Sequence, residues 1–91
     1  MFESPERAIA GMLIEKAERW RRGKREPGFK DNKMFCKPED ITALVRLDEN
    51  VHVVKLNEPV GDHYIHEVIY RGYWFQAATQ ERDERLEVYI S

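Results

Sequence analysis

The sequence predicts an α+β domain, with an N-terminal amphipathic helix packed on an antiparallel sheet of four or five strands in meander order. Three observations carry that expectation. Residues 4–22 form a capped run of helical period. Tyr64 to Thr79 holds two strand-forming runs around Arg71-Gly72, the pattern of a tight hairpin. Short alternating apolar segments recur from residue 41 onward, separated by turn residues. The 91 residues are read as one domain: helix about 4–22, basic loop 23–37, sheet about 41–91. A chain this short buries little more than about 60% of its unfolded surface, so a deep substrate cavity would compete with the core.

Ser4, Pro5 and Glu6 supply an N-cap, a first-turn proline and an acid at the positive end of the helix dipole. Ile9, Met12, Leu13, Lys16 and Trp20 recur at helical spacing, with Ala17 beside them, and make the stripe expected to cover the sheet. Lys16 adds its aliphatic stem to that stripe, and Gly23 is the expected C-cap.

Residues 23–37 have no periodicity, contain Pro27-Gly28 and read as a long connection. Positive charge is concentrated around them. From Lys16 to Lys37 there are nine Lys or Arg against three acids, in a chain of net charge -2, so the remainder is acidic. Phe29, Met34 and Phe35 are expected to pin the connection to the core, in preference to stacking on bases beside Lys30, Lys33 and Lys37.

Pro38-Glu39-Asp40 can open a short helix with Ile41, Leu44 and Val45 on one side. The same residues also fit a strand, since Ile41, Ala43, Val45 and Leu47 alternate. Recurrent β-branched residues on both sides of Asp48-Glu49-Asn50 favour the strand, in a hairpin with the run that begins at Val51. Pro59 and Gly61 mark the next turn.

In the central hairpin a two-residue loop sets Tyr70 opposite Tyr73, Ile69 opposite Trp74, Val68 opposite Phe75, Glu67 opposite Gln76 and His66 opposite Ala77. One face then carries Tyr64, His66, Val68, Tyr70, Tyr73, Phe75, Ala77 and Thr79; the other carries Ile65, Glu67, Ile69, Trp74, Gln76 and Ala78. One long helix covers one face, so the other keeps aromatic surface near solvent. Leu86, Val88 and Ile90 alternate with polar neighbours and read as a last strand.

Chemistry-bearing motifs are sparse. Asp62, His63 and His66 have ligand-type side chains, but His63 and His66 point to opposite faces of a strand, so no metal or other cofactor is expected. Cys36 is alone, which rules out an internal disulfide and fits a reducing, cytoplasmic compartment. No apolar run approaches the ~20 residues of a membrane span, and the polar start MFESPER has no secretory character.

The favoured reading is a small non-enzymatic protein-binding module. It would act as a regulator or inhibitor, in the style of small phage-encoded modulators, by occupying a surface of a larger protein or nucleoprotein complex. Tyr70, Arg71, Tyr73 and Trp74 at the hairpin tip are its expected anchors. A second reading is nucleic-acid binding through Arg19, Arg21, Arg22, Lys24, Arg25, Lys30 and Lys33. A third is a small metal-independent ribonuclease drawing on His52, His63, His66, Glu67 and Arg71. Edge strands of an open sheet also offer a route to a homodimer.

Overall fold

Ser4 caps the first helix by accepting the Arg7 N–H through its Oγ at 3.2 Å, ahead of Pro5. In the computed structural model this helix, α1, spans Pro5–Arg21. The structure describes residues 4–23, 29–30, 33–47 and 51–89, with 29 and 30 by backbone alone. The buried side of α1 is narrower than the expected stripe. Ala10, Leu13, Ile14 and Ala17 are buried, Ile9, Lys16 and Trp20 are half-buried, and Met12 is 65% exposed. The helix is therefore not clearly amphipathic along the predicted line, because small alanines rather than Met12 make the close approach.

The basic connection is not a plain loop. It contains β1 (Phe29–Lys30) and β2 (Lys33–Phe35), which pair antiparallel. Met34 is buried in the core, as the pinning role requires, whereas Phe35 faces outward.

Residues 38–47 correct the strand expectation, since they form the helix α2 (Pro38–Leu47). Local chemistry outweighs β-propensity here. Proline sits at the first helical position, and the Asp40 carboxylate accepts the Lys37 backbone N–H at 3.0 Å. Ile41, Leu44 and Val45, at helical spacing, are all buried.

Three strands follow: β3 (Val51–Val60), β4 (His63–Tyr70) and β5 (Tyr73–Thr79). The β4–β5 register matches the sequence expectation pair for pair, from Tyr70 opposite Tyr73 to His66 opposite Ala77. Arg71 and Gly72 take φ values of 52° and 80°, the left-handed pair of a type I′ turn. The sheet order is β1-β2-β5-β4-β3. It is a mixed sheet and not an antiparallel meander, because β2 runs parallel to β5 and sets Lys33 beside Trp74, Met34 beside Phe75 and Phe35 beside Gln76. Nothing in the local pattern of the three residues of β2 signals this non-local pairing. At the other edge, β3 carries two register shifts and Pro59, which interrupt the ladder a second chain would extend.

Residues 84–89 are also not a strand, and Ile90, the last residue of the expected alternation, lies outside the described residues. Glu84–Tyr89 is a 3-10 helix, with Leu86 fully buried, Tyr89 half-buried and Val88 81% exposed. Burial follows a period of three rather than two. Its start is fixed by Asn57, a residue at φ 55° in a bulged part of β3. The Asn57 side-chain amide donates to the Asp83 carbonyl and accepts the Asp83 N–H, both at 2.9 Å.

Both helices lie on one side of the sheet. α1 packs closest to α2, and α2 lies against β3, β4 and β5. Their apolar residues join Met34, Leu56, Val68, Tyr70, Phe75, Ala77 and Leu86 in one buried cluster. The Cα envelope measures 35 × 34 × 18 Å, a slab with room for one sheet and one helical layer.

Candidate functional site

The covered face is the one with His66, Val68, Tyr70, Phe75 and Ala77. The opposite face has no helix over it among the described residues. Strand register sets its side chains in ranks. Lys33, Trp74, Ile69 and His52 make the rank nearest the β4–β5 turn. Phe35, Gln76, Glu67 and Lys55 make the next, and Ala78, Ile65 and Glu58 the third. Phe35 is 46% exposed, and Trp74, Ile69 and Ile65 are half-buried.

Glu67 stands in the middle of this face, yet it is only 1% exposed. Its Oε1 accepts from Lys33 Nζ at 2.9 Å and from Gln76 Nε2 at 2.6 Å. Lys55 Nζ lies 3.9 Å from Oε2, which takes no hydrogen bond among the described residues. Burial pushes the Glu67 carboxyl up, but the Lys33 and Gln76 hydrogen bonds and the charges of Lys33 and Lys55 outweigh it and hold the group below its ordinary value. It is a carboxylate at neutral pH. Lys33 also sits 4.6 Å from the Trp74 ring centroid, so one ammonium holds both the acid and the aromatic ring in place. The result is a fixed ionic centre with apolar and aromatic side chains around it.

The four anchors expected at the hairpin tip divide between environments. Tyr70 is buried at 4% exposure, and Tyr73 on the same face is half-buried against the core. Arg71 is exposed at the turn, with its guanidinium 5.3 Å from the Tyr70 ring. Trp74 alone belongs to the open face. Of the basic set, Lys33 joins Glu67 on that face. Arg19, Arg21 and Arg22 lie at the end of α1, with Arg19 paired to Glu15 at 3.7 Å. Lys24 and Arg25 lie outside the described residues, and Lys30 is described by backbone alone.

The five residues of the ribonuclease reading are not brought together. His66 is fully buried under the helices, Glu67 is on the other face, Arg71 is at the turn, His52 is on the outer strand and His63 is at the far end beside Asp62. His66 Nδ1 accepts the Asn57 backbone N–H at 3.0 Å, so its proton sits on Nε2, 2.9 Å from Thr79 Oγ1. Burial lowers its pKa, against the opposing charge of Asp83, and keeps the ring neutral. Cys36 is pushed up to about 12, first by burial and then by Asp40, so it holds no thiolate at neutral pH. Among the described residues no three His, Cys, Asp or Glu side chains converge as a metal site, and no helix is long and apolar enough to cross a membrane.

The sequence predicts Trp74, Gln76, Glu67, Ile65 and Ile69 on one face, but it assigns Lys33 only to the basic set and places neither Lys33 nor Lys55 beside Glu67. The bulges in β3 hid the alignment of Lys55 with Glu67, and the β2–β5 pairing hid Lys33. Compared with protein-family models, curated proteins and solved structures, the chain matches none of them.

Proposed function

We propose that the protein is a small non-enzymatic protein-binding module, a regulator or inhibitor that occupies a surface of a larger protein or nucleoprotein complex through the open face of its sheet. The supporting observation is the face itself: Phe35, Trp74, Ile65 and Ile69 lie partly exposed around a rigid Lys33–Glu67–Lys55 centre. Aromatic side chains held in fixed rotamers lose little entropy on binding, which makes them effective anchors. The charges of the face cancel, with Lys33 and Lys55 against Glu67 and Glu58. A surface without net positive charge gains little from phosphates, which favours a protein partner here. Extents of 35 × 34 Å leave room for the roughly 800 Å² per partner that a specific interface buries.

The reading is tested by affinity capture from a nuclease-treated lysate with the wild-type chain, Phe35→Glu and Ala78→Arg on the open face, and Met12→Glu on the helical side. All three positions are exposed, so the fold should survive, as circular dichroism would verify. A partner held by the wild type and Met12→Glu but lost by the two open-face variants supports the reading. Loss by Met12→Glu alone moves the interface to the helices, and equal capture by all four contradicts the assignment.

A further inference from the structure

A second surface lies at the end of the molecule where β4 turns into β5. The last turn of α1 and the hairpin turn enclose a cleft of about 450 Å³ lined by Trp20, Arg21, Arg71, Gly72 and Tyr73. Two aromatic side chains and two guanidiniums therefore share one concave site. Both arginines are exposed, whereas both rings are half-buried and so held in place. Arg71 is the more constrained cation, with its guanidinium 5.3 Å from the Tyr70 ring centroid. Its backbone sits at φ 52°, a conformation that type I′ turns ordinarily give to Asn, Asp or Gly. Keeping an arginine there has a conformational cost that the turn alone does not require.

The charge of this end does not cancel. Arg19 is engaged by Glu15, but Arg21, Arg22 and Arg71 add positive charge that no nearby acid on the cleft wall offsets among the described residues. The C-terminus of α1 contributes about half a negative charge, which two guanidiniums exceed. Part of that helix end is already satisfied, since the Arg22 and Gly23 N–H groups bond back to the carbonyls of Glu18 and Trp20.

We infer that this cleft binds one nucleotide unit of a single-stranded nucleic acid, with phosphate on Arg21 and Arg71 and the base against Trp20 and Tyr73. Guanidinium groups match phosphate oxygens in a planar fork, and aromatic side chains give bases a sequence-tolerant stacking surface. The cleft also falls within the roughly 300–1,000 Å³ typical of small-ligand sites. An acidic peptide would use the arginines but leave the paired rings without a role, so nucleic acid is the better fit. The site is separate from the open sheet face, and its assignment stands or falls independently of the docking proposal.

The test uses the full chain with Trp74→Phe, which leaves Trp20 as the only tryptophan. A six-base single-stranded oligonucleotide is titrated while Trp20 fluorescence is followed; anisotropy of a labelled strand on the wild-type chain gives a second readout. Saturable quenching is expected, and Arg21→Ala and Arg71→Ala should each weaken binding about tenfold. One neutralised phosphate, at a slope near -0.7 for single strands, should lower affinity about two- to threefold between about 50 and 200 mM salt. Tripolyphosphate competing as well as the oligonucleotide would reduce the cleft to a bare anion site and overturn the inference. Equal competition by poly-glutamate would assign it to acidic protein segments instead. Absence of binding in both readouts would also overturn it.

Discussion

Lys33 reaches across β5 to Glu67, placing its ammonium 2.9 Å from a carboxylate two strands away and 4.6 Å from the Trp74 ring. This one contact ties β2, the short strand drawn from the basic segment, to the middle of the sheet. It also explains how a carboxylate can be buried on a face that no helix covers among the described residues. Lys55 and Gln76 complete the shell from either side.

Removing Lys33 should therefore cost more than an exposed ion pair would. Lys33→Met leaves Glu67 buried with Gln76 and a more distant Lys55, and should lower unfolding free energy by about 1–3 kcal/mol in urea denaturation. Adding Glu67→Met should recover about half of the loss, because a buried charge left without its partner is costlier than an apolar pair. A Lys33→Met chain as stable as the wild type would show that the contact is no more than a surface pair.

His66 makes stability depend on mildly acidic pH. Its folded pKa lies below the ordinary 6.5 because it is buried, so between those two values the unfolded chain binds the extra proton. Stability thus rises with pH in that window, is complete above about pH 6.5 and is lost progressively below it. Protonation would also turn Nδ1 from acceptor to donor against the Asn57 N–H. Thermal melting of the wild type from pH 7.5 to 5 should show this decline, and His66→Gln should flatten it. Glu67 and Asp83 act further down. Both are held below their ordinary values of 4.5 and 3.8, Asp83 chiefly by its hydrogen bond from Arg85, so their contributions fade only as pH falls below that range.

Asn57 combines a left-handed backbone with a two-bond clamp on Asp83. Asn57→Ala loses both bonds and keeps the unfavourable φ, and should destabilise by about 2–4 kcal/mol. Asn57→Gly loses the bonds but relieves the backbone, and should be milder by about 1 kcal/mol. Hydrogen exchange should locate the loosening in the 3-10 helix, while the amides of β4 stay protected in Asn57→Gly.

Local signals were legible where the deciding chemistry was local. Ser4-Pro5 marked the start of α1, and Arg71-Gly72 fixed the hairpin register and hence the membership of both its faces. The helix at 38–47 was hidden because β-branched residues raise strand propensity, while Asp40 capping Lys37 is one contact that propensity does not weigh. The terminal strand failed for another reason. Leu86, Val88 and Ile90 alternate in sequence, but the Asn57–Asp83 clamp, formed 26 residues apart, turns the chain before a strand can pair. The parallel place of β2 beside β5, and with it the ion centre of the open face, depends on contacts between distant segments. No window of sequence contains them.

The open face can be tested directly with a photo-crosslinking amino acid placed in turn at Ala78, exposed on that face, and at Met12, exposed on the helical side. After irradiation in a native lysate, a discrete higher-mass adduct resistant to nuclease is expected from Ala78, and none from Met12. An adduct from Met12 with nothing from Ala78 would contradict the open sheet face as the docking surface.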